Sequence, residues 1–513
     1  MDRKWSMLVF KHVTALMASL LVCVAMLTAC GDNTNTPSGA ANTTAASGTT
    51  AAANTTAAGN ATTAAASTTA AGNATTAAGN ATTAAGNATT AANGTGQAST
   101  VKLNTSVSGN IEFWHIWASP IRRNAIKRVI AICQNQLPNI KVKDVYKPFG
   151  DIWTANTAAV AAGSGMPDVI LEDRPKLPAA AANNIEQNLQ KYAARDGVDG
   201  SVFWPNVWQQ TLYNGETYGI PYETDVRVMF YDKNAFKEAG LDPEKPPKTW
   251  TEVQQYADKL DKKNSDGTYS RYGFMPLING GWDLWSYNNG ASLVKDGKVN
   301  VADPKVVDTM NWIKKWVDRY GGYSAVQKFQ GTFQSPPQDA FMSGKVAMYV
   351  DINGYASGLN FYRPQYVNKD GKKENMDWGV SDVPHADDAQ QASISGGFAL
   401  SIPRGAKNPD AAWEFIKCAT GPEAQLSWAR DTYSMPVRPA VANDPQLTAD
   451  PNWQFMVNAM KYIVPPNFVK EYPNWAEQVD KRTADIYQGK TDAKTALDQA
   501  QQAINDTVSK NKK

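Results

Sequence analysis

From Gly31 to Thr100 this 513-residue chain carries a single charged side chain, Asp32, in a stretch dominated by Ala, Thr, Asn and Gly. The heptapeptide Gly-Asn-Ala-Thr-Thr-Ala-Ala recurs at Gly72, Gly79 and Gly86. Such a segment has too little apolar surface to offset the entropy of ordering it, so no core forms there. Any fold is confined to the remainder of the chain, about residues 106–513. A flexible run of about 70 residues has an r.m.s. span of roughly 40 to 50 Å, which makes residues 30–105 a disordered tether.

Ahead of the tether, Arg3, Lys4 and Lys11 precede an apolar run from Val13 to Leu27. That run falls short of the roughly 20 residues a membrane-spanning helix needs, so residues 1–29 read as an export signal. Leu27-Thr28-Ala29-Cys30 resembles a bacterial lipobox. The resemblance implies cleavage before Cys30 and lipidation of its thiol and freed amine, because one acyl chain alone holds only reversibly. The expected location is therefore extracytoplasmic, anchored to the cell membrane through lipidated Cys30.

The 50 Lys and Arg against 48 Asp and Glu leave a formal charge of +2. That balance argues against a nucleic-acid partner, which calls for a clustered basic excess. After the signal only His115 and His385 remain, with no Cys pair or His-Glu-x-x-His spacing, too few soft ligands for zinc. Between Lys262 and Gly273, Asn264, Asp266 and Gly267 have calcium-loop spacing. Lys262 and Gly273 occupy its first and last ligand positions, however, so the stretch reads as a turn. No metal and no cofactor are expected. Cys133 and Cys418 lie in apolar, helix-like segments; buried free thiols are the preferred reading, with a disulfide open in an exported chain.

Strands are expected around Ile111 and Phe113, over 140–146 and at Asp168-Val169-Ile170-Leu171, with helices over 122–136 and 152–162 between them. Alternation of this kind implies crossover units on a parallel sheet. Val226, Val228 and Phe230 alternate as a further strand, and Thr249-Trp250-Thr251-Glu252 reads as a capping box opening a helix. Asp303-Pro304 opens another, with Val306, Met310, Ile313 and Val317 on one stripe and Trp312 and Trp316 as packing residues. Ala399 to Ile402 reads as a strand, 408–418 as a helix, and Leu497, Gln501, Ile504 and Val508 share a helical face. The class is α/β, with helices in excess.

Several segments in order resemble the extracellular solute-binding proteins of ABC transporters, in the sugar-binding family that includes maltose-binding proteins. They include Ile111-Glu112-Phe113-Trp114-His115, Gly165-Met166-Pro167-Asp168-Val169-Ile170, Tyr218-Gly219-Ile220-Pro221-Tyr222 and Ala340-Phe341-Met342-Ser343-Gly344-Lys345. Gly396-Gly397-Phe398-Ala399-Leu400 and Asn408-Pro409-Asp410-Ala411-Ala412-Trp413 complete the set. The resemblance covers about residues 108–508. It implies a two-lobe periplasmic-binding-protein-like fold with hinge crossings and a central cleft. Lobe 1 is expected over about 106–223 and 393–450, lobe 2 over about 224–392 and 451–513.

A sugar presents apolar C–H faces and a rim of hydroxyls, so its binder needs aromatic plates and side chains that donate and accept hydrogen bonds. After the first strand, His115 and Trp117 occupy the turn where this family places ligand contacts, though Trp117 fits equally as a roof over the first helix. Asp151 either bonds the ligand or caps the helix beginning at Ile152. Glu172-Asp173-Arg174 matches an acidic-basic pair that binds sugar hydroxyls in maltose-binding proteins, at a strand end where α/β lobes hold ligands. Asp225, four residues after Pro221, matches a sugar-binding carboxylate, with Tyr222 and Glu223 beside it. Arg227 is an alternative partner for that carboxylate. Trp282, Trp285 and Asn289 fall where the family supplies an aromatic plate, only one tryptophan being required. Tyr355 stands near a stacking position, Gly396 and Gly397 offer backbone amides or permit a tight crossing, and Trp475 matches a C-terminal stacking tryptophan.

The function implied is capture of a sugar, an oligosaccharide by preference, and its delivery to the permease subunits of an ABC importer by a monomeric lipoprotein without enzymatic activity. Ligand would bind one lobe and closure would complete the contacts. One alternative is the same fold holding a peptide, polyamine or other small solute. A second is a secreted glycoside hydrolase using Asp173 and Asp225.

Overall fold

The computed structural model describes residues 101–464, 469 and 471–511. The signal, Cys30 and the tether up to Thr100 lie outside the described residues. The first α/β stretch follows the expected alternation: β1 (Gly109–His115), α1 (Pro120–Gln136), β2 (Ile140–Tyr146), α2 (Asp151–Ala162) and β3 (Val169–Asp173). Ser119 caps α1 by accepting from the Arg122 amide, and Pro120 stands at its first turn, where a missing N–H costs nothing. Ala125, Ile126, Val129, Ile130 and Cys133 form its buried face.

The next elements are β4 (Gly219–Thr224), β5 (Arg227–Asp232), α3 (Trp250–Leu260), β6 (Lys262–Lys263) and β7 (Tyr269–Phe274). The capping box at Thr249 and Glu252 is present. The stretch from Lys262 is a hairpin turning at Gly267, whose φ of +82° suits glycine. After these come α4 (Trp282–Tyr287), α5 (Pro304–Arg319), β8 (Val346–Ile352), α6 (Tyr355–Tyr362) and β9 (Trp378–Ser381). The chain ends with β10 (Gly397–Ser401), α7 (Pro409–Ala419), α8 (Pro422–Thr432), β11 (Met435–Pro436), α9 (Glu477–Tyr487) and α10 (Ala493–Asn511).

Two sheets organise these elements, each covered by its own helices. One has the order β11-β4-β10-β3-β1-β2, the other β9-β5-β8-β7-β6. The expected parallel sheet is only half of the first: β2, β1 and β3 are parallel, whereas β10, β4 and β11 pair antiparallel. The reason is connectivity, since β10 enters this sheet from the other one instead of through a crossover helix. Thr224 to Arg227 passes from the first sheet to the second in four residues, and Ala392 to Gly397 returns.

Cys133 in α1 and Cys418 in α7 form a disulfide across 285 residues, which corrects the preferred reading of two free thiols. Both helices pack on the same core, bringing the Cα atoms to 5.7 Å, within bridging range. The disulfide left open by the sequence is the arrangement found, and neither helical segment alone encodes it, because sequence position does not specify their separation in space.

Asn353, just after β8, is fully buried and ties the outward crossing to the end of α8. Its Oδ1 accepts from the Val226 amide at 3.1 Å and its Nδ2 donates to the Tyr433 carbonyl at 2.6 Å. Ser393 in the return crossing accepts from the Arg227 amide and donates to its carbonyl, both at 3.0 Å.

Candidate ligand cleft

A cavity of about 410 Å³ opens where the two crossings meet. Pro175, Pro178, Gln209, Gln210 and Leu212 approach it from elements packed on the first sheet, and Trp282, Asp283, Tyr287 and Leu293 from the second. Arg227, Ile394, Ser395 and Gly396 come from the crossings themselves, and Pro473, Trp475 and Ala476 from the segment before α9. The wall is apolar and aromatic with a few polar groups, the usual make-up of a small-molecule site.

Trp282 and Trp475 meet edge to face, with centroids 6.4 Å apart. The Trp282 Nε1 donates to Asp480 at 2.8 Å, which fixes the plane of that ring. Burial raises the Asp283 carboxyl above its ordinary range. It raises the Tyr287 hydroxyl too, with Asp283 adding to the effect. The Tyr287 hydroxyl is buried and has no hydrogen-bond partner, and the residue lines the cavity. A buried hydroxyl left unpaired costs about 1 to 3 kcal/mol, so it stands ready for a ligand donor or acceptor.

Behind this wall, Arg174 is fully buried and braces the crossing. Its guanidinium bonds Gln210 Oε1, Thr224 Oγ1 at 3.0 Å, Ser395 Oγ at 3.3 Å and the Gly396 carbonyl. Burial lowers its pKa to about 10, against the pull of Asp225, Asp173 and Glu223. Asp173, raised by burial, keeps Lys176 at 3.6 Å. Asp225 pairs with Arg227 at 2.5 Å and accepts from the Gly396 amide at 3.1 Å. The alternative in which Arg227 neutralises Asp225 is thus the arrangement found. Gly397 has a φ of +111°, and a Cβ there would lie 2.3 Å from the Glu223 carbonyl oxygen, so this crossing needs glycine.

Of the residues singled out by sequence, the fold brings Trp282, Gly396 and Trp475 onto the cavity wall, with Asp173, Arg174 and Asp225 behind it. It does not bring the others there. Trp117 lies within the first core against Phe113, Tyr222 and Trp428, its roofing alternative, and His115 stacks on it while its Nδ1 accepts from the Trp117 amide. Tyr222 is fully buried, and Glu223 accepts from Arg122 and from Trp428 Nε1. Glu172 is buried, and burial first, then the neighbouring Glu186, raises its carboxyl well above the ordinary range. Asp151 occupies the exposed first turn of α2. Trp285 donates to the Pro276 carbonyl inside the second core, and Asn289 bonds Lys305 and Thr309. The Tyr355 hydroxyl is held by Asp339 at 2.9 Å.

Gln209, Gln210, Asp283, Tyr287 and Ser395 were missed. Nothing in their local sequence distinguishes them; only the approach of four distant segments does.

A model of the bacterial extracellular solute-binding protein family matches residues 128–455. The chain belongs to this family. In such a protein a cavity shared by two lobes at their crossings is where a solute is expected to sit. Among curated relatives, the sn-glycerol-3-phosphate-binding periplasmic protein UgpB of Escherichia coli K12 is 25% identical over 67% of this chain and 79% of its own. Among solved structures, CpMnBP1 with mannotriose bound is 28% identical, with a TM-score of 0.68 over 77% of this chain and 99% of that one. UgpB from Mycobacterium tuberculosis in complex with glycerophosphocholine shares the two-lobe fold at 19% identity, with a TM-score of 0.65 over 79% of this chain and all of its own. No helix among the described residues is long and apolar enough to cross a membrane.

Proposed function

We propose that the chain is the sugar-binding subunit of an ABC importer, taking an oligosaccharide into the cavity at the crossings and presenting it to the permease. The observation that carries this reading is the cavity wall. Two tryptophans set edge to face offer C–H surfaces a plate, and Gln209, Gln210, Ser395 and the unpartnered Tyr287 hydroxyl offer neutral polar groups to a hydroxyl rim. The resemblance to a protein holding mannotriose supports it.

The resemblance to a glycerol-3-phosphate-binding protein points to an anionic solute instead. Charge weighs against that reading. Arg227 is the one cation among the described lining residues, its charge is already met by Asp225, and Asp283 adds an acid to the same wall. The same pairing counts against Asp225 as the free nucleophile of a hydrolase.

Closure of the lobes about the crossings would bury the ligand and shift the population toward a closed form that the permease recognises. Lobe 1 over about 106–223 and 393–450, lobe 2 over the remainder of the body, a monomeric state and anchorage through lipidated Cys30 belong to the same proposal. A thermal-shift screen of the chain against neutral oligosaccharides, glycerol 3-phosphate, peptides and polyamines tests it. Stabilisation by an oligosaccharide is expected. Stabilisation by glycerol 3-phosphate alone would overturn the sugar reading and leave the family standing.

A further inference from the structure

Beside the cavity, on the first lobe, stands a second aromatic surface, none of whose rings lines the cavity itself. Phe149, in the turn between β2 and α2, is 59% exposed. Its ring meets the half-buried Trp153 edge to face at 4.9 Å. Phe398 lies nearly parallel to Trp153, 17° apart in plane and 6.5 Å between centroids. Trp153 Nε1 donates to the Leu171 carbonyl at 3.1 Å, so the indole is locked in plane and its one polar atom is already satisfied. With Lys176 over the Trp153 ring, the exposed apolar surface of the pair is that of Phe149.

Two short chain links join this surface to the cavity. Gly396 lines the cavity and Phe398 follows two residues later; Pro175 lines it and Lys176 comes next, its Nζ 5.5 Å from the Trp153 centroid. Lys176 in turn holds Asp173 at 3.6 Å. A two-residue step along an extended chain is roughly 7 Å, which keeps Phe398 near the cavity wall. The rim therefore carries a carboxylate and an ammonium beside an aromatic plate, the combination that holds a ring with one C–H face and flanking hydroxyls.

We propose that Phe149 and Trp153 form an outer subsite for a further sugar ring, occupied only when the ligand extends out of the cavity. The inference rests on the sugar reading of the cavity, and it makes the preferred ligand an oligosaccharide longer than the cavity alone holds. The subsite belongs wholly to the first lobe, so it is available before closure.

The test is calorimetric titration of the full chain and of its Phe149→Ala and Trp153→Ala variants with manno- and malto-oligosaccharides of one to four rings. The expected result is a loss of about tenfold for the longest ligand bound, and less than about twofold for the shortest. Phe149 is exposed, so its truncation leaves the fold intact, and thermal melting of both variants checks this. Equal losses at every length, or no loss from Phe149→Ala at any length, would overturn the subsite while the sugar reading stands. If the unmodified chain binds no member of either series, the sugar reading falls and takes the subsite with it.

Discussion

Replacing Glu186 by Gln should stabilise the protein at alkaline pH and leave it nearly unchanged near pH 5. Glu186 is 3% exposed and lies close to the equally buried Glu172. Its Oε1 accepts from Asn156 Nδ2 at 2.9 Å, a bond that glutamine retains, and its Oε2 has no partner. Burial pushes its pKa to about 8 from an ordinary 4.5. Between those two values the folded state holds a proton that the unfolded state has released. Stability therefore falls as pH rises from 4.5 to 8, by about 1.4 kcal/mol per unit at most, and is level above 8. The full shift of about 3.5 units corresponds to roughly 5 kcal/mol as an upper bound, of which structural relaxation should leave about 2 to 3. Since 1 kcal/mol moves the melting temperature by roughly 2 to 4 °C in a domain of 150 to 250 residues, and by less in a larger body, the variant should melt about 2 to 6 °C higher at pH 9. Differential scanning calorimetry of both proteins from pH 5 to 9 reads this directly. A difference that stays flat across the range, or a variant less stable at pH 9, would rule out a proton held on buried Glu186.

Other consequences can be measured separately. Trp475→Ala should weaken binding of the best oligosaccharide by about 10- to 100-fold in calorimetry, because half of the edge-to-face plate is lost. Asn353→Ala removes two buried bonds that hold the outward crossing to the end of α8, so it should cost about 2 to 3 kcal/mol in denaturant unfolding and widen the lobes in small-angle scattering. Cys133→Ser with Cys418→Ser should destabilise the chain by roughly 2 to 5 kcal/mol, since the bridge closes a loop of 285 residues; a reducing agent should lower the melting temperature of the parent and not of the double variant.

Local patterns made the scaffold legible. The alternation around β1, β2 and β3, the capping box at Thr249 and the stripe from Val306 to Val317 each encode their element within a few turns of chain, and each stands where expected. The mixed first sheet was not legible, because the direction of β10 is decided by a return crossing whose partner strand is over 170 residues away. The candidate site divides the same way. Gly396 and Trp475 carry recognisable neighbours, whereas Gln209, Tyr287 and Ser395 acquire meaning only when separate segments converge. Tryptophans were the hardest to assign. Trp282 and Trp285 lie three residues apart on one face of α4 and both pack in the second core, and only Trp282 also reaches the cavity wall.

Whether the cavity between Trp282, Tyr287, Ser395 and Trp475 binds a neutral oligosaccharide without altering it can be read in one experiment. Calorimetric titration of the unmodified chain with the oligosaccharide that stabilises it most is followed by mass analysis of the recovered ligand. Binding of one ligand per chain, abolished or sharply weakened by Trp475→Ala, with the sugar recovered intact, is the predicted result. Cleavage of the sugar, or binding that Trp475→Ala leaves unchanged, would overturn the assignment of this cavity.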